Sequence, residues 1–403
     1  MAHFCEPCYL DPTADWRQPF ETRVAGLEPF ADRPALQFDR TFFYPEGGGQ
    51  LGDAGTVRFG AEERTVVDTQ IDDNGTLYHI LNEAAPADWL GQTLSAQVNA
   101  EHRRDMMRAH SGQHLLSAAF HHTAGLETKS ARLGKRTISI DLEAPDVNEK
   151  SIAAAVEQAN RWVLANHPIR VHNPDPDQLA AMPLRRPPKV TGNIRVLEID
   201  SVDFTPCGGT HCSATGEIGA IHVVAKEKIK KLVRIHFHCG LRTLAHLDQR
   251  EAILTAASNH LQCAVPELAD QVQRLQQESR ALRQELGKAR TEAARYEAEQ
   301  LHQTQPAREG ETTFIRVESA DIDSARKLAD LLTARPDVVA MVKTKVADDG
   351  FCRIVVARGS QAEFDAGAWF RGEGKSLGAR GGGRPQKAEG KIPETVAVDN
   401  LAK

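Results

Sequence analysis

Two short fragments, His110-Ser-Gly-Gln-His114 and Cys207-Gly-Gly-Thr-His211, hold the residues best suited to chemistry in this chain. Each carries two nitrogen or sulfur donors four residues apart. Together they offer three imidazoles and one thiolate, a donor set that suits one tetrahedral zinc ion per chain. On a helix, residues i and i+4 share a face, so His110 and His114 can grip one ion. Gly208 and Gly209 allow a tight turn that brings Cys207 and His211 toward one point. Two histidines at this spacing also occur in ordinary helices, so neither fragment is decisive alone. Four protein donors describe a closed structural site, whereas a catalytic zinc usually keeps one position open. Cys212 adjoins a donor, but its side chain is expected to diverge from the ion. Cys5-x-x-Cys8, with His3 nearby, lacks a second half and reads as a structural pair.

The elements that must position these donors change character along the chain. Residues 1–100 read as β. Short apolar runs at 35–38, 41–44, 56–59, 65–68 and 77–81 sit between Gly, Asp and Asn turn residues, a pattern that predicts a small barrel. Residues 101–240 predict a mixed α/β core. It has a helix over 103–122 ending near Gly125, and a half-buried strand on Ile138, Ile140 and Leu142. A second helix, capped by Asn148, presents Ile152, Val156, Ala159 and Val163 on one face. The stretch 195–206 reads as a strand delivering the Cys207 loop, with further strands at 218–224 and 232–237. Over 241–303, Leu254, Leu261, Leu268, Leu275 and Leu282 recur every seven residues, which predicts a helical coiled-coil connector. Pro266 can restart a helix there. An antiparallel hairpin and a homodimer through this connector both satisfy the pattern. Residues 304–403 then predict a small α/β domain with strands at 314–317, 338–342 and 352–357, a helix over 324–334 and a glycine-rich end. The fold class expected is therefore α+β multidomain.

Bulk properties narrow the class. The chain has 403 residues, of which 41% are hydrophobic and 26% charged. That is enough for two or three domains. No apolar run approaches the roughly 18 residues of a membrane helix, and the N-terminus lacks the pattern of a secretory signal. The seven scattered cysteines fit a reducing compartment, and a cytoplasmic location is expected. A net charge of −6 excludes a protein that coats nucleic acid, but local basic patches can still meet RNA. One such patch is Lys226, Lys228, Lys230, Lys231 and Arg234. The other is Arg371, Lys375, Arg380, Arg384, Lys387 and Lys391. By charge alone, either is equally a solvated surface.

The motifs around the donors resemble a known group. Thr41-Phe-Phe-Tyr-Pro-Glu-Gly-Gly-Gly-Gln-Leu-Gly-Asp53 and Thr205-Pro-Cys-Gly-Gly-Thr-His-Cys-Ser-Ala-Thr-Gly-Glu-Ile-Gly219 are similar to the barrel and metal motifs of the alanyl-tRNA synthetase editing domain and of its free-standing relatives, the AlaX proteins. The stretch 378–390 resembles the end of the synthetase's C-terminal domain. With no room before the barrel for an aminoacylation domain, the resemblance implies the long AlaX form. It implies a barrel over 1–100, a zinc-binding editing domain over 101–240, a helical connector over 241–303 and a tRNA-binding domain over 304–403.

The activity implied is zinc-dependent ester hydrolysis of tRNA(Ala) wrongly carrying serine or glycine. His110, His114, Cys207 and His211 would hold the ion. Thr41 would sense the serine hydroxyl, and Gln50 and Gln113 would orient substrate. Gln113 stands where some relatives have threonine, and Ser130 where some have glutamine. Arg380, Arg384 and Lys387 would contact RNA, with Glu389 adding a local negative charge where relatives carry glutamine. One rival is a non-catalytic tRNA-binding protein with a structural zinc. Another is a zinc hydrolase of a different ester or amide, although no glutamate base adjoins the metal histidines.

Overall fold

Leu94, Ala96 and Val98 alternate with Thr93, Ser95 and Gln97, and the strand they form buries the first set and exposes the second. This period of two builds the N-terminal barrel. Its strands are β1 (Phe20–Gly26), β2 (Ala35–Phe38), β3 (Gly55–Phe59), β4 (Glu62–Ile71), β5 (Leu77–Leu81) and β6 (Thr93–Val98). They close in the order β1-β2-β5-β4-β3-β6 around Leu36, Phe38, Phe43, Val57, Val66 and Trp89. Cys5 and Cys8 pack against this core, and burial pushes the Cys5 thiol up to about 12. The computed structural model describes residues 5–401 except 12–14, 189–190, 193, 307–309 and 348–349. His3 therefore lies outside the described residues. The chain divides into two compact units, Met1–Leu254 and Thr255–Lys403.

The run expected as a strand at 41–44 is only briefly one. Pairing stops at Thr41, and the buried segment from Phe42 onward is held by side chains instead. Arg103, 1% exposed, donates from Nε to both oxygens of the fully buried Asp53 at 3.0 and 2.8 Å, and from a terminal nitrogen to the Phe42 carbonyl at 2.6 Å. Asp53 also accepts the Tyr44 N–H at 2.6 Å. This knot ties the loop that carries Gln50 to the helix that carries His110 and His114.

That helix, α1 (Ala100–Ala124), starts where Asn99 accepts the N–H groups of Glu101 and His102, and ends at Gly125 with φ 64°. Every residue from Ala109 to Phe120 is buried. Around it lie β7 (Thr128–Leu133), β8 (Ile138–Leu142), α2 (Glu149–Ala165), β9 (Ile169–His172), β10 (Val196–Ile199), β11 (Asp203–Pro206), β12 (Ile221–Ile229) and β13 (Leu232–Cys239). One sheet runs β12-β13-β8-β7 and a second β9-β10-β11. Leu115, Leu116 and Phe120 pack with Ile140, Ile235 and Phe237 in the core between α1, α2 and the first sheet. The strand expected to be half-buried, β8, is covered on both faces. Its Asp141 is accommodated by Arg234 at 2.7 Å and Ser130 at 2.6 Å. The stretch 195–206 is a hairpin rather than one strand, turning at Ser201 with φ 60°.

Two helices follow, α3 (Leu241–Leu261) and α4 (Leu268–Thr304), with Pro266 in the short turn between them. On α4 the heptad residues Val272, Leu275, Leu282 and Leu286 are exposed, whereas Ala294 and Ala298 enter the core of the second unit. That unit continues through β14 (Thr313–Ser319), α5 (Ile322–Leu332), β15 (Val338–Val346), β16 (Phe351–Arg358), β17 (Arg380–Gly383) and β18 (Lys387–Pro393). Its sheet order is β14-β15-β16-β18-β17, with only β14 and β15 parallel. The α+β multidomain expectation thus agrees with the structure. The glycine-rich end forms the edge strand β17. A Cβ on Gly381 would lie 2.3 Å from the Glu389 carbonyl and 2.8 Å from the Phe370 ring, so packing explains this glycine.

Candidate metal centre

α1 supplies His110 and His114 from adjacent turns, and the end of β11 delivers Cys207, with His211 four residues on. Their ligand atoms all lie within 4.8 Å of one another. Cys207 Sγ is 3.3 Å from His110 Nε2 and 3.2 Å from His211 Nε2. Tetrahedral zinc with ordinary Zn–S and Zn–N bonds would set such pairs roughly 3.5 Å apart, so the cluster is slightly tighter than a loaded site. Both ring nitrogens of His114 are buried with no hydrogen-bond partner. In a neutral imidazole one of these is a donor and the other an acceptor; leaving the acceptor unpaired is costly, and a metal ion such as zinc fits that need.

The surroundings set the tautomers. Gln50 is fully buried, and its Oε1 accepts from His110 Nδ1 at 2.9 Å and from the Thr210 N–H at 3.1 Å. Its amide nitrogen donates to Thr210 Oγ1 at 2.8 Å. With Nδ1 engaged, His110 turns Nε2 toward Cys207. The Ser111 hydroxyl lies 3.4 Å from His211 Nδ1 and accepts the Cys212 N–H at 3.0 Å. A Cβ on Gly209 would lie 2.1 Å from His110 Cε1, whereas one on Gly208 would meet nothing within 4 Å. The close approach therefore needs one glycine rather than two. Arg195 donates to the carbonyls of Gly208 and Gly209 at 2.9 and 3.3 Å and clamps the loop.

Burial keeps the imidazoles neutral, the form that binds metal. It pushes His114 down to about 3 and holds His110 and His211 well below their ordinary value. The same burial pushes the Cys207 thiol up to about 11, so binding an ion as thiolate would release a proton. Gln50→Leu is expected to weaken zinc affinity about 10- to 100-fold, because His110 Nδ1 and the Thr210 amide lose their partner. Competition with a chelator of known affinity checks this, and an unchanged constant contradicts it.

His110, His114 and Cys207 form part of the wall of a cavity of about 470 Å³, which Gln113, Ser130, Lys129, Arg186 and Arg195 also line. A larger cavity of about 630 Å³ meets only His211 among the four donors. Gln113 donates to Ser117 Oγ at 2.9 Å from within the cavity wall. Thr41 is not brought to the cavity. Its hydroxyl pairs with His79 Nε2 at 2.8 Å and accepts the Phe43 N–H at 3.1 Å, inside the barrel. Burial pushes His79 down to about 3 and so keeps it neutral, and its Nδ1 donates to the Leu36 carbonyl at 3.0 Å, which leaves Nε2 to accept the hydroxyl proton. Sequence reading missed Arg186 and Arg195: Arg186 belongs to the short basic run Arg185-Arg186-Pro-Pro-Lys189, which was not singled out, and Arg195 stands alone among apolar residues. In the second unit, Arg380 and Arg384 are exposed. Lys387 is paired with Asp330 at 2.7 Å, and the carboxylate of Glu389 is taken up by Arg326 at 2.7 Å.

Comparison with known proteins agrees with this geometry. Residues 194–236, which include the hairpin and the Cys207 loop, match the threonyl and alanyl tRNA synthetase second additional domain. The chain is similar to the alanyl-tRNA editing protein AlaX-L of Pyrococcus horikoshii, 32% identical over 60% of this chain and 59% of that one. It is similar to the alanine–tRNA ligase of Methanopyrus kandleri, 28% identical over 96% of this chain and 43% of the ligase. The chain thus spans about half the length of these relatives. A solved C-Ala domain from Aquifex aeolicus alanyl-tRNA synthetase matches 24% of this chain and 88% of that domain, at 22% identity and a TM-score of 0.21. Among the described residues, no helix is long and apolar enough to cross a membrane.

Proposed function

We propose that this chain, a homologue of the AlaX-L alanyl-tRNA editing protein and of alanine–tRNA ligase, hydrolyses the ester of tRNA(Ala) wrongly carrying serine, and also glycine, with one zinc ion in its His-His-Cys-His cluster. The observation that carries this reading is the opening of the donor cluster onto a cavity edged by Lys129, Arg186 and Arg195. A closed structural site needs no such cavity. An aminoacylated RNA end, with a small amino acid at the ion and phosphates at the rim, suits one. The chemistry also has a reason to exist. An apolar pocket built for alanine rejects an added hydroxyl weakly, so serine calls for a second, hydrolytic check.

Zinc bound in the cluster would supply a Lewis acid for the ester carbonyl or an anchor for the substrate amine. Gln50 holds His110 in its metal-facing tautomer. Gln113 offers its amide from the cavity wall to orient the aminoacyl group. Arg186 is the rim cation offered to the phosphates of the acceptor end, since Lys129 is already paired with Glu143 at 2.7 Å and Arg195 clamps the Gly208 and Gly209 carbonyls. In the second unit, Arg380 and Arg384 are the cations best placed to meet RNA, with Lys387 already occupied by Asp330. Replacing both arginines with alanine is expected to raise the tRNA dissociation constant. The slope of log affinity against log salt should then fall by about 1.5 units, close to two lost phosphate contacts. An unchanged slope in a filter-binding series removes them from the interface.

The purified chain, incubated with seryl-, glycyl- and alanyl-tRNA(Ala), tests the main reading. It should hydrolyse the first two and spare the third by at least about tenfold. Equal hydrolysis of all three would contradict an editing role. The four-donor set favours one other reading, a tRNA-binding protein with a structural zinc, which predicts binding of all three and hydrolysis of none.

A further inference from the structure

A second group of histidines stands apart from the metal centre. Ile221, Phe237 and Cys239 turn into the core from β12 and β13. His222 and His238 lie between them in sequence, on the opposite face of the sheet, and are direct cross-strand partners. His246, one turn into α3, covers them. Its ring centroid is 5.2 Å from that of His238, with the planes at 13°, and 5.9 Å from that of His222. In the first cluster the ring centroids are 4.4 to 5.3 Å apart.

Each of these three rings has one buried nitrogen without a hydrogen-bond partner: Nε2 of His222, Nδ1 of His238 and Nε2 of His246. Among the described residues, the only other histidine with a buried, unpartnered ring nitrogen is His114, in the metal centre. Buried imidazole nitrogens normally find a donor or an acceptor. Here three of them, on neighbouring rings, have none. Burial, followed by the neighbouring His246, lowers the pKa of His222 and His238, with Arg250 and Arg242 as smaller contributors. Arg242 is itself paired with Asp105 at 2.6 Å.

We propose that His222, His238 and His246 form a second metal site, for a divalent ion of borderline softness such as Zn²⁺. An all-imidazole set of neutral nitrogens suits that class and disfavours calcium or magnesium. The three donors are not drawn together as tightly as the first four, which alone among the described residues lie within 4.8 Å of one another. Rotation of the imidazoles about their Cβ–Cγ bonds gathers them, and solvent completes the coordination. Binding is therefore weaker than at the first cluster, and it pins the first turns of α3 to the sheet.

The test is calorimetric titration of the metal-stripped full chain with Zn²⁺, followed by Co²⁺ spectroscopy. Wild type should take up two ions in a tight and a weaker step. His246→Ala and His238→Ala should each lose the weaker step and keep the tight one. Cys207→Ala should do the reverse. Only the first cluster has a thiolate, so an intact thiolate-to-cobalt band in His246→Ala shows that the variant is folded. Uptake of a single ion by wild type would overturn the proposal, as would a weaker step that survives both histidine substitutions.

Discussion

Cys207→Ala is expected to slow hydrolysis of seryl-tRNA(Ala) by at least about a hundredfold, since loss of a directly bound ligand should exceed the 10- to 100-fold effect of an outer partner. The sulfur lies 3.3 Å from His110 Nε2 and 3.2 Å from His211 Nε2, so it closes the cluster on the side facing both rings. It is also the only donor that brings negative charge. Without it, three neutral imidazoles in a buried site must hold a dication unaided. The fold should survive, because α1 is anchored by Leu115, Leu116 and Phe120, and β11 by its pairing with β10. Zinc content, the single-turnover rate and a melting curve on the same preparation check this. A metal-free variant that retains the wild-type rate would show that the ion takes no part in the reaction.

Asp53→Ala should have the largest effect on stability. Arg103 and Asp53 are 1% and 0% exposed, and the guanidinium has no water to turn to if the carboxylate is removed. Breaking a buried pair by deleting one partner costs about 3–5 kcal/mol. The same change releases the Tyr44 amide and loosens the loop that presents Gln50 to His110, so zinc affinity should fall alongside stability. Urea unfolding measures the first effect. The exposed pair Arg161–Glu157, at 2.6 Å, provides the control, because breaking an i,i+4 surface pair costs only about 0.3–0.5 kcal/mol. A loss at Asp53 no larger than at Glu157 would contradict the assigned role.

The donors were legible because metal chemistry constrains residue type and spacing together, and the barrel because alternation records one buried face. α1 was legible over 103–122 with its stop near Gly125, but its start, capped by Asn99, lies earlier than the sequence reading placed it. Other features left no local mark. The turn at Ser201 uses neither glycine nor proline, so the hairpin read as one strand. Thr41 begins an apolar run that any barrel strand could contain, and only the three-dimensional register sends its hydroxyl to His79. The glycines at 381–383 have low strand propensity. They form an edge strand by pairing with β18; Gly381 is closed in by Glu389, Gly390 and Phe370 and Gly383 by Lys387 and Ala388, whereas Gly382 meets nothing within 4 Å. Glu389 read as an unopposed charge because Arg326 comes from a distant helix. Gln50 was marked as a substrate residue, and in the structure its Oε1 lies 2.9 Å from His110 Nδ1. That difference depends on distances that sequence does not carry.

The central claim is that the His110–His114–Cys207–His211 cluster performs ester hydrolysis with zinc bound. Its most direct test is single-turnover hydrolysis of seryl-tRNA(Ala) by folded, metal-stripped protein, to which zinc is returned in steps. The rate should be near background without zinc, rise in proportion to the metal added and level off at one equivalent. A rate that is full before zinc is returned, or that stays at background after the cluster is filled, would contradict the account.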